Sequence, residues 1–122
     1  MLAGLRVLYA EDQKTLQLLT ATLLKKQGAQ VTLANDGVMA LELYQPGAFD
    51  FILTDIMMPN LDGYGLTKAL RERGFDGKII GLTAATIGLE TDQLLIAGAD
   101  ATLSKPVDIK KLCTLVITEE AH

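Results

Sequence analysis

Five short apolar runs recur along the chain, and after each the apolar residues return every three or four positions. Leu5–Ala10, Gln30–Ala34, Phe51–Thr54, Lys78–Leu82 and Ala101–Ser104 are too short for buried helices and read as strands of a sheet covered on both faces. Leu16, Leu19 and Leu23 predict the apolar face of a first helix, and Ala40, Leu41 and Tyr44 that of a second. Leu66 and Leu70 mark a third, and Ile109, Leu112, Cys113 and Val116 the last. The fourth helix is predicted from about Leu89 to Ala97, after a start loosened by Thr86, Ile87 and Gly88, which are poor helix formers.

Punctuation agrees with this pattern. Asp12 and the Asn35-Asp36-Gly37 turn offer side-chain caps to the first and second helices, and Gly28 and Pro46-Gly47 end them. Lys68, Arg71, Glu72 and Arg73 give the third helix a polar face, and Pro106 sits near the start of the last. A strand–helix unit repeated five times implies an α/β fold. Parallel neighbours need crossover connections, crossovers are right-handed, and the helices therefore cover both sides of one sheet. Residues 1–122 read as a single domain, with 118–122 as a tail or the start of a linker.

With 122 residues, 49% hydrophobic and 21% charged, the chain can bury a core without disulfides or a structural metal. A net charge of -4 and the lack of any basic cluster argue against a nucleic-acid surface. Cys113 is the only cysteine, so no intrachain disulfide can form, and its apolar neighbours predict a buried, reduced thiol. No apolar run approaches the about 18 residues that span a bilayer, and the start lacks the core of a secretory signal. The expectation is a cytoplasmic domain, free-standing or cut from a membrane-anchored protein.

What remains is a set of polar residues at strand ends: Glu11, Asp12, Asp55, Thr83 and Lys105. In open α/β sheets ligands bind beyond the carboxyl ends of the strands, where these residues are predicted to converge. Three crowded carboxylates repel one another, a cost that a hard cation such as magnesium relieves. Such a cation, the Thr83 hydroxyl and the Lys105 ammonium would neutralise a phosphoryl group while Asp55 attacks phosphorus and forms an acyl phosphate. Singly, each residue has a plainer explanation: a helix cap at Glu11-Asp12, a turn at Asp55, a cap at Thr83, a solvated charge at Lys105. Their joint spacing does not. Met39, Met57 and Met58 read as packing residues, and His122 as part of the tail.

Tyr9-Ala10-Glu11-Asp12, Leu53-Thr54-Asp55-Ile56-Met57-Met58-Pro59 with Asp62-Gly63, Leu82-Thr83-Ala84, and Gly98-Ala99-Asp100 leading to Leu103-Ser104-Lys105-Pro106 closely resemble the receiver domain of two-component response regulators, including the receivers of hybrid sensor histidine kinases. The resemblance covers nearly the whole chain. It implies a flavodoxin-like (βα)5 fold with strand order 2-1-3-4-5 and a phosphorylation site at Asp55. It further implies that Asp12, Asp55 and the backbone carbonyl of Met57 bind Mg2+, or Mn2+ in its place, with Glu11 acting through a metal-bound water. Thr83 and Lys105 would hold phosphoryl oxygens, and a cis peptide bond before Pro106 would help aim Lys105. The implied partners are a sensor histidine kinase or a histidine phosphotransfer protein as donor, and an attached or separate output domain; no nucleic acid or membrane is implied for this domain itself.

One position departs from the family pattern. Receivers usually carry Tyr or Phe three residues before the Lys, and this chain has Thr102 there, so the expected switch runs through Thr83 and the segment to Gly88 without a turning ring. Met57 and Ala85, each two residues past a site residue, carry no general base, and no accelerated loss of the phosphoryl group is expected. Two other readings stay open: an interaction module with the fold but no phosphorylation, and a phosphatase using Asp55 as nucleophile. Many such hydrolases place a second Asp two residues on; Met57 stands there, which favours a signalling phosphoacceptor over a turnover enzyme. No G-x-G-x-x-G loop supports a dinucleotide carrier.

Overall fold

A computed structural model describes residues 2–84 and 89–117, and across them strands and helices alternate strictly. In chain order these are β1 (Arg6–Ala10), α1 (Lys14–Lys26), β2 (Gln30–Ala34), α2 (Gly37–Leu43), β3 (Phe51–Asp55), α3 (Gly63–Glu72), β4 (Lys78–Thr83), α4 (Leu89–Ala97), β5 (Ala101–Ser104) and α5 (Ile109–Ile117). All strand pairs are parallel, in the order β2-β1-β3-β4-β5. The order reverses between β1 and β3, so the first connection winds one way and the rest the other, which opens a crevice at the carboxyl ends of those two strands.

Alternate residues of each strand serve opposite cores, as the pleat requires. Val7, Tyr9, Phe51, Leu53, Ile80 and Leu82 pack with Leu24 of α1 and Leu112 and Cys113 of α5. Leu8, Ala10, Ile52 and Ile79 pack with Ala40 of α2 and Leu66 and Leu70 of α3. All five residues of β3 are buried, which is why its sequence shows an unbroken apolar run rather than alternation. β3 and β4 each run one residue beyond the apolar stretch, to Asp55 and Thr83, so both residues belong to hydrogen-bonded strands.

Three sequence expectations are corrected. The buried face of α1 is Gln17, Thr20, Ala21 and Leu24, while Leu18 and Leu19 are exposed and Leu16 and Leu23 only half-buried. The leucines flank the stripe because two polar residues occupy it, and Gln17 is satisfied inside: its Nε2 donates to the Glu11 carbonyl at 2.9 Å and to Asn35 Oδ1 at 3.1 Å. Asp12 does not cap α1. The cap position is Gln13, without a side-chain bond, and Asp12 is exposed. Asp36 caps α2 through the Met39 N–H at 2.8 Å, and Asp62 caps α3 through the Gly65 N–H at 3.0 Å.

The third correction is Arg71, which turns inward from the predicted polar face of α3. Its guanidinium donates to the carbonyls of Gly98 at 2.9 Å, Phe75 at 2.8 Å and Gly77 at 2.8 Å, and to Asp100 Oδ2 at 2.9 Å. Asp100 Oδ2 in turn accepts from the Ile79 N–H at 2.8 Å, and the Phe75 ring lies against the guanidinium. One side chain thereby ties the end of α3 to the starts of β4 and β5. Arg71→Ala is expected to lower stability by about 2–4 kcal/mol in urea unfolding, because several carbonyls lose a charged donor together. Arg71→Lys should recover less than half of the loss, since an ammonium cannot reach acceptors in so many directions.

Candidate functional site

The last residue of β3 is Asp55, buried, with its Oδ1 accepting from the Ile56 N–H at 2.8 Å and from Lys105 Nζ at 2.8 Å. These two donors set the rotation of the carboxylate. Gly63 begins α3 directly against this backbone: a Cβ there would lie 2.6 Å from the Asp55 carbonyl oxygen and 2.9 Å from Ile56 Cα. The Gly63 N–H donates to the Ile56 carbonyl at 2.7 Å, so the helix start is pinned to the residue after the acid. Any side chain at Gly63 would push that segment away.

Glu11 follows β1, and its side chain is fully buried. Its carboxylate receives the Tyr9 hydroxyl at 3.3 Å on Oε1, the Gln13 N–H at 3.2 Å on Oε2, and the Lys105 ammonium at 3.6 Å. Asp12, beside it, is exposed. Lys105 enters from the segment after β5, where its N–H donates to the Thr83 carbonyl at 2.9 Å and the Lys105–Pro106 peptide bond is cis. Thr83 is buried at the end of β4. Gln13, Asp55, Ile56, Met57, Thr83, Ala84 and Lys105 line a pocket of about 160 Å³.

Carboxylate oxygens of Glu11, Asp12 and Asp55 lie within 4.8 Å of one another. Burial, and next the Asp55 charge, push the Glu11 carboxyl above the usual range, against the smaller opposing pull of the Gln13 N–H, Lys105 and the Tyr9 hydroxyl. Burial pushes the Tyr9 phenol up strongly, so it keeps its proton and acts as a donor. All three donors to Glu11 stand at or beyond the long end of hydrogen-bond range, which leaves a buried carboxylate weakly compensated. Hard oxygen donors in this state suit a small divalent cation, and the residues present fit one.

Sequence reasoning placed Met57 among packing residues, but its side chain is 61% exposed and forms part of the pocket rim; Met58 does pack, at the edge of the α2/α3 core. Thr102 lies elsewhere, opposite Gly81 in the β4–β5 ladder and on the wall of a largely apolar cleft shared with Leu103, Lys110 and Leu115. Ala85 and the stretch to Gly88, invoked for phosphoryl lifetime and switching, lie outside the described residues, as do 118–122. Two contributors were missed, Tyr9 and Gln17. For Tyr9 the signal was present: it stands two positions before Glu11 and so shares its face of the strand.

Residues 7–117 match the family profile described as the response regulator receiver domain. The chain belongs to this receiver family. The receiver is 38% identical over 118 residues to the sensor histidine kinase RcsC of Salmonella typhimurium and 37% identical over 117 residues to the sensor protein GacS of Pseudomonas syringae. These alignments take in 95% and 92% of the chain but only 12% and 13% of the relatives. Among solved structures, the receiver domain of sensor histidine kinase PA1611 from Pseudomonas aeruginosa, with magnesium in its active-site cleft, superposes with a TM-score of 0.83 at 34% identity, covering 93% of this chain and 95% of that one. The receiver domain of Ssk1, solved with the histidine phosphotransfer protein Ypd1 of Saccharomyces cerevisiae, gives 0.82 at 25% identity, over 93% of this chain and 87% of that one. No helix among the described residues is long and apolar enough to cross a membrane.

In metal-free buffer the receiver holds Glu11 buried and weakly compensated beside two other acids. Its folded-state pKa is raised, so the protonated form is the one folding favours, and the penalty appears as pH rises through that value. Glu11→Gln is therefore expected to raise the thermal midpoint at pH 7.5 by about 3–6 °C, the equivalent of about 1 kcal/mol for a domain of this size. The gain should shrink as pH falls towards the carboxylate range, where both side chains are neutral. A scan of melting temperature against pH in EDTA checks both.

Proposed function

We propose that this receiver is the phosphoacceptor of a phosphorelay, taking a phosphoryl group on Asp55 from a phosphohistidine of a sensor kinase or a phosphotransfer protein. The observation that carries the reading is the meeting, in one pocket, of the buried Asp55 carboxylate, the Lys105 ammonium at 2.8 Å and the carboxylates of Glu11 and Asp12. The relatives support the donor class: sensor histidine kinases in sequence, and in structure a receiver solved with a histidine phosphotransfer protein.

Asp12, Asp55 and the Met57 carbonyl would hold magnesium, with Glu11 reaching it through water; when bound, the ion supplies positive charge that offsets the acids and the phosphoryl oxygens. An oxygen of Asp55 attacks phosphorus in line with the departing imidazole nitrogen. The P–N bond breaks as the P–O bond forms, its electron pair stays on the ring nitrogen, and the imidazole leaves neutral because its other nitrogen carries a proton. Lys105 already sits on Asp55, so a short displacement carries its charge from the carboxylate to a phosphoryl oxygen. Thr83, buried at the end of β4, would contribute a hydroxyl to another oxygen. The phosphoryl group then biases two conformations that differ in affinity for an output domain or partner. Thr102 supplies no ring to turn, and the bias passes through Thr83 and the segment after it.

Met57 argues against turnover. Two residues past the nucleophile it offers neither an acid nor a base to activate water, so the acyl phosphate should outlive the transfer. Incubation with magnesium and acetyl phosphate is expected to add one phosphoryl group by intact mass, with a lifetime of minutes or longer. Asp55→Asn should abolish the addition, and p-nitrophenyl phosphate should not be turned over. Lys105→Ala should slow the addition by about 10-fold or more. No mass change in the unaltered chain would favour an interaction module without phosphate chemistry, and catalytic release of p-nitrophenol would favour a hydrolase.

A further inference from the structure

We propose that Tyr9 is a positioning residue for the cation site, holding Glu11 through its buried hydroxyl so that the Glu11 carboxylate faces the other two acids. The proposal rests on the phosphoacceptor reading above and extends it to a residue of the core that touches neither the phosphoryl group nor the nucleophile.

Tyr9 is the largest fully buried side chain among the described residues and packs among Val7, Leu53 and Leu24. An aliphatic residue or phenylalanine would fill this space, and a buried hydroxyl costs free energy unless it is bonded. Here it is bonded: the hydroxyl donates to Glu11 Oε1 at 3.3 Å. Thr20, a buried residue of α1, also acts on the phenol, so Tyr9 stands between the inner face of α1 and the acid pocket.

Glu11 needs such a bond more than an aspartate would. Its side chain has one more rotatable bond than that of Asp, and among the described residues the other donors to its carboxylate are the Gln13 N–H at 3.2 Å and the distant Lys105 ammonium. Gln17 fixes the backbone, donating to the Glu11 carbonyl at 2.9 Å, but does not set the side-chain torsions. The phenol, carried on a rigid strand, does. Groups that orient a metal-binding side chain in this way commonly change metal affinity by about 10–100-fold when removed. The 3.3 Å contact is long, so the expected effect lies at the lower end.

The test is magnesium affinity by isothermal titration and manganese affinity by EPR, on the unaltered chain, Tyr9→Phe, Glu11→Gln and the double variant. Tyr9→Phe is expected to weaken both cations by roughly 3–10-fold. In acetyl phosphate reactions the magnesium concentration for half-maximal rate should rise by the same factor while the rate at saturating magnesium stays within twofold. In the Glu11→Gln background the same change should have no further effect on affinity, because the phenol acts through that carboxylate. A purely packing role for Tyr9 would leave affinity unchanged or weaken it equally in both backgrounds, and either result overturns the proposal.

A measurement on the unaltered chain covers the case in which Tyr9→Phe does not fold. With tyrosine labelled at Cζ, magnesium should shift the Tyr9 resonance with the same midpoint as the calorimetric titration, and a Tyr9 signal unmoved at saturation would refute the link. If the unaltered chain binds magnesium and accepts phosphate but Tyr9 proves silent, only this inference falls. If it does neither, the phosphoacceptor reading has failed and the role of Tyr9 goes with it.

Discussion

Like charges resist being packed together, and the structure spends its stability on doing so: the carboxylates of Glu11, Asp12 and Asp55 stand within 4.8 Å of one another, two of them buried. Left to themselves such groups would separate or take up protons. They are held because Glu11 and Asp12 follow β1 and Asp55 ends β3 of a rigid parallel sheet, whose two cores are built from buried aliphatic and aromatic residues. Lys105 relieves part of the repulsion but stands 20% exposed at the rim. The acid pocket is therefore poised for positive charge.

Holding the charges requires control of the loops that carry them, and the neighbouring helices provide it. Asn60, in a left-handed conformation between Asp55 and α3, donates its side-chain amide to Asp36 Oδ2 at 2.6 Å, while the same Asp36 caps α2. Gly37, the first residue of α2, lies so near Leu61 that a Cβ would meet its carbonyl oxygen at 2.3 Å. Gln17 joins the Glu11 carbonyl to Asn35 in the segment before α2. The segment bearing Met57 and the segment bearing Glu11 are thus braced against one helix start, so a displacement in one is resisted by the other.

The element order and the convergence of Glu11, Asp12, Asp55, Thr83 and Lys105 could be read from the chain, because short apolar runs ending in polar residues report strand ends directly. Less could be read of the helices. The stripe on α1 was misplaced because hydropathy counts Gln17 and Thr20 as solvent-facing, whereas both are buried and Gln17 finds partners within the protein. Arg71 was misread for the same reason: a guanidinium that finds acceptors on two segments, one before β4 and one before β5, can lie inward. In each case a long-range hydrogen bond overrode a local pattern. The capping role expected of Asp12 failed otherwise, since it is Glu11 that turns back to the Gln13 N–H and Asp12 that stays exposed at the pocket.

The same lesson bears on how the site communicates with its surroundings. Residues that bridge core and pocket, such as Tyr9 and Gln17, are satisfied only when α1, β1 and the acid cluster keep their present arrangement. Charge entering the pocket changes what the Glu11 carboxylate demands of its donors, and those donors are rooted in β1 and in the segment after it. With Thr102 in place of a ring on β5, coupling through polar contacts beneath the site offers a route that needs no aromatic rotation. Those hydrogen bonds lie on the core side of the site, where low dielectric makes each lost or gained bond count for more than it would at the surface.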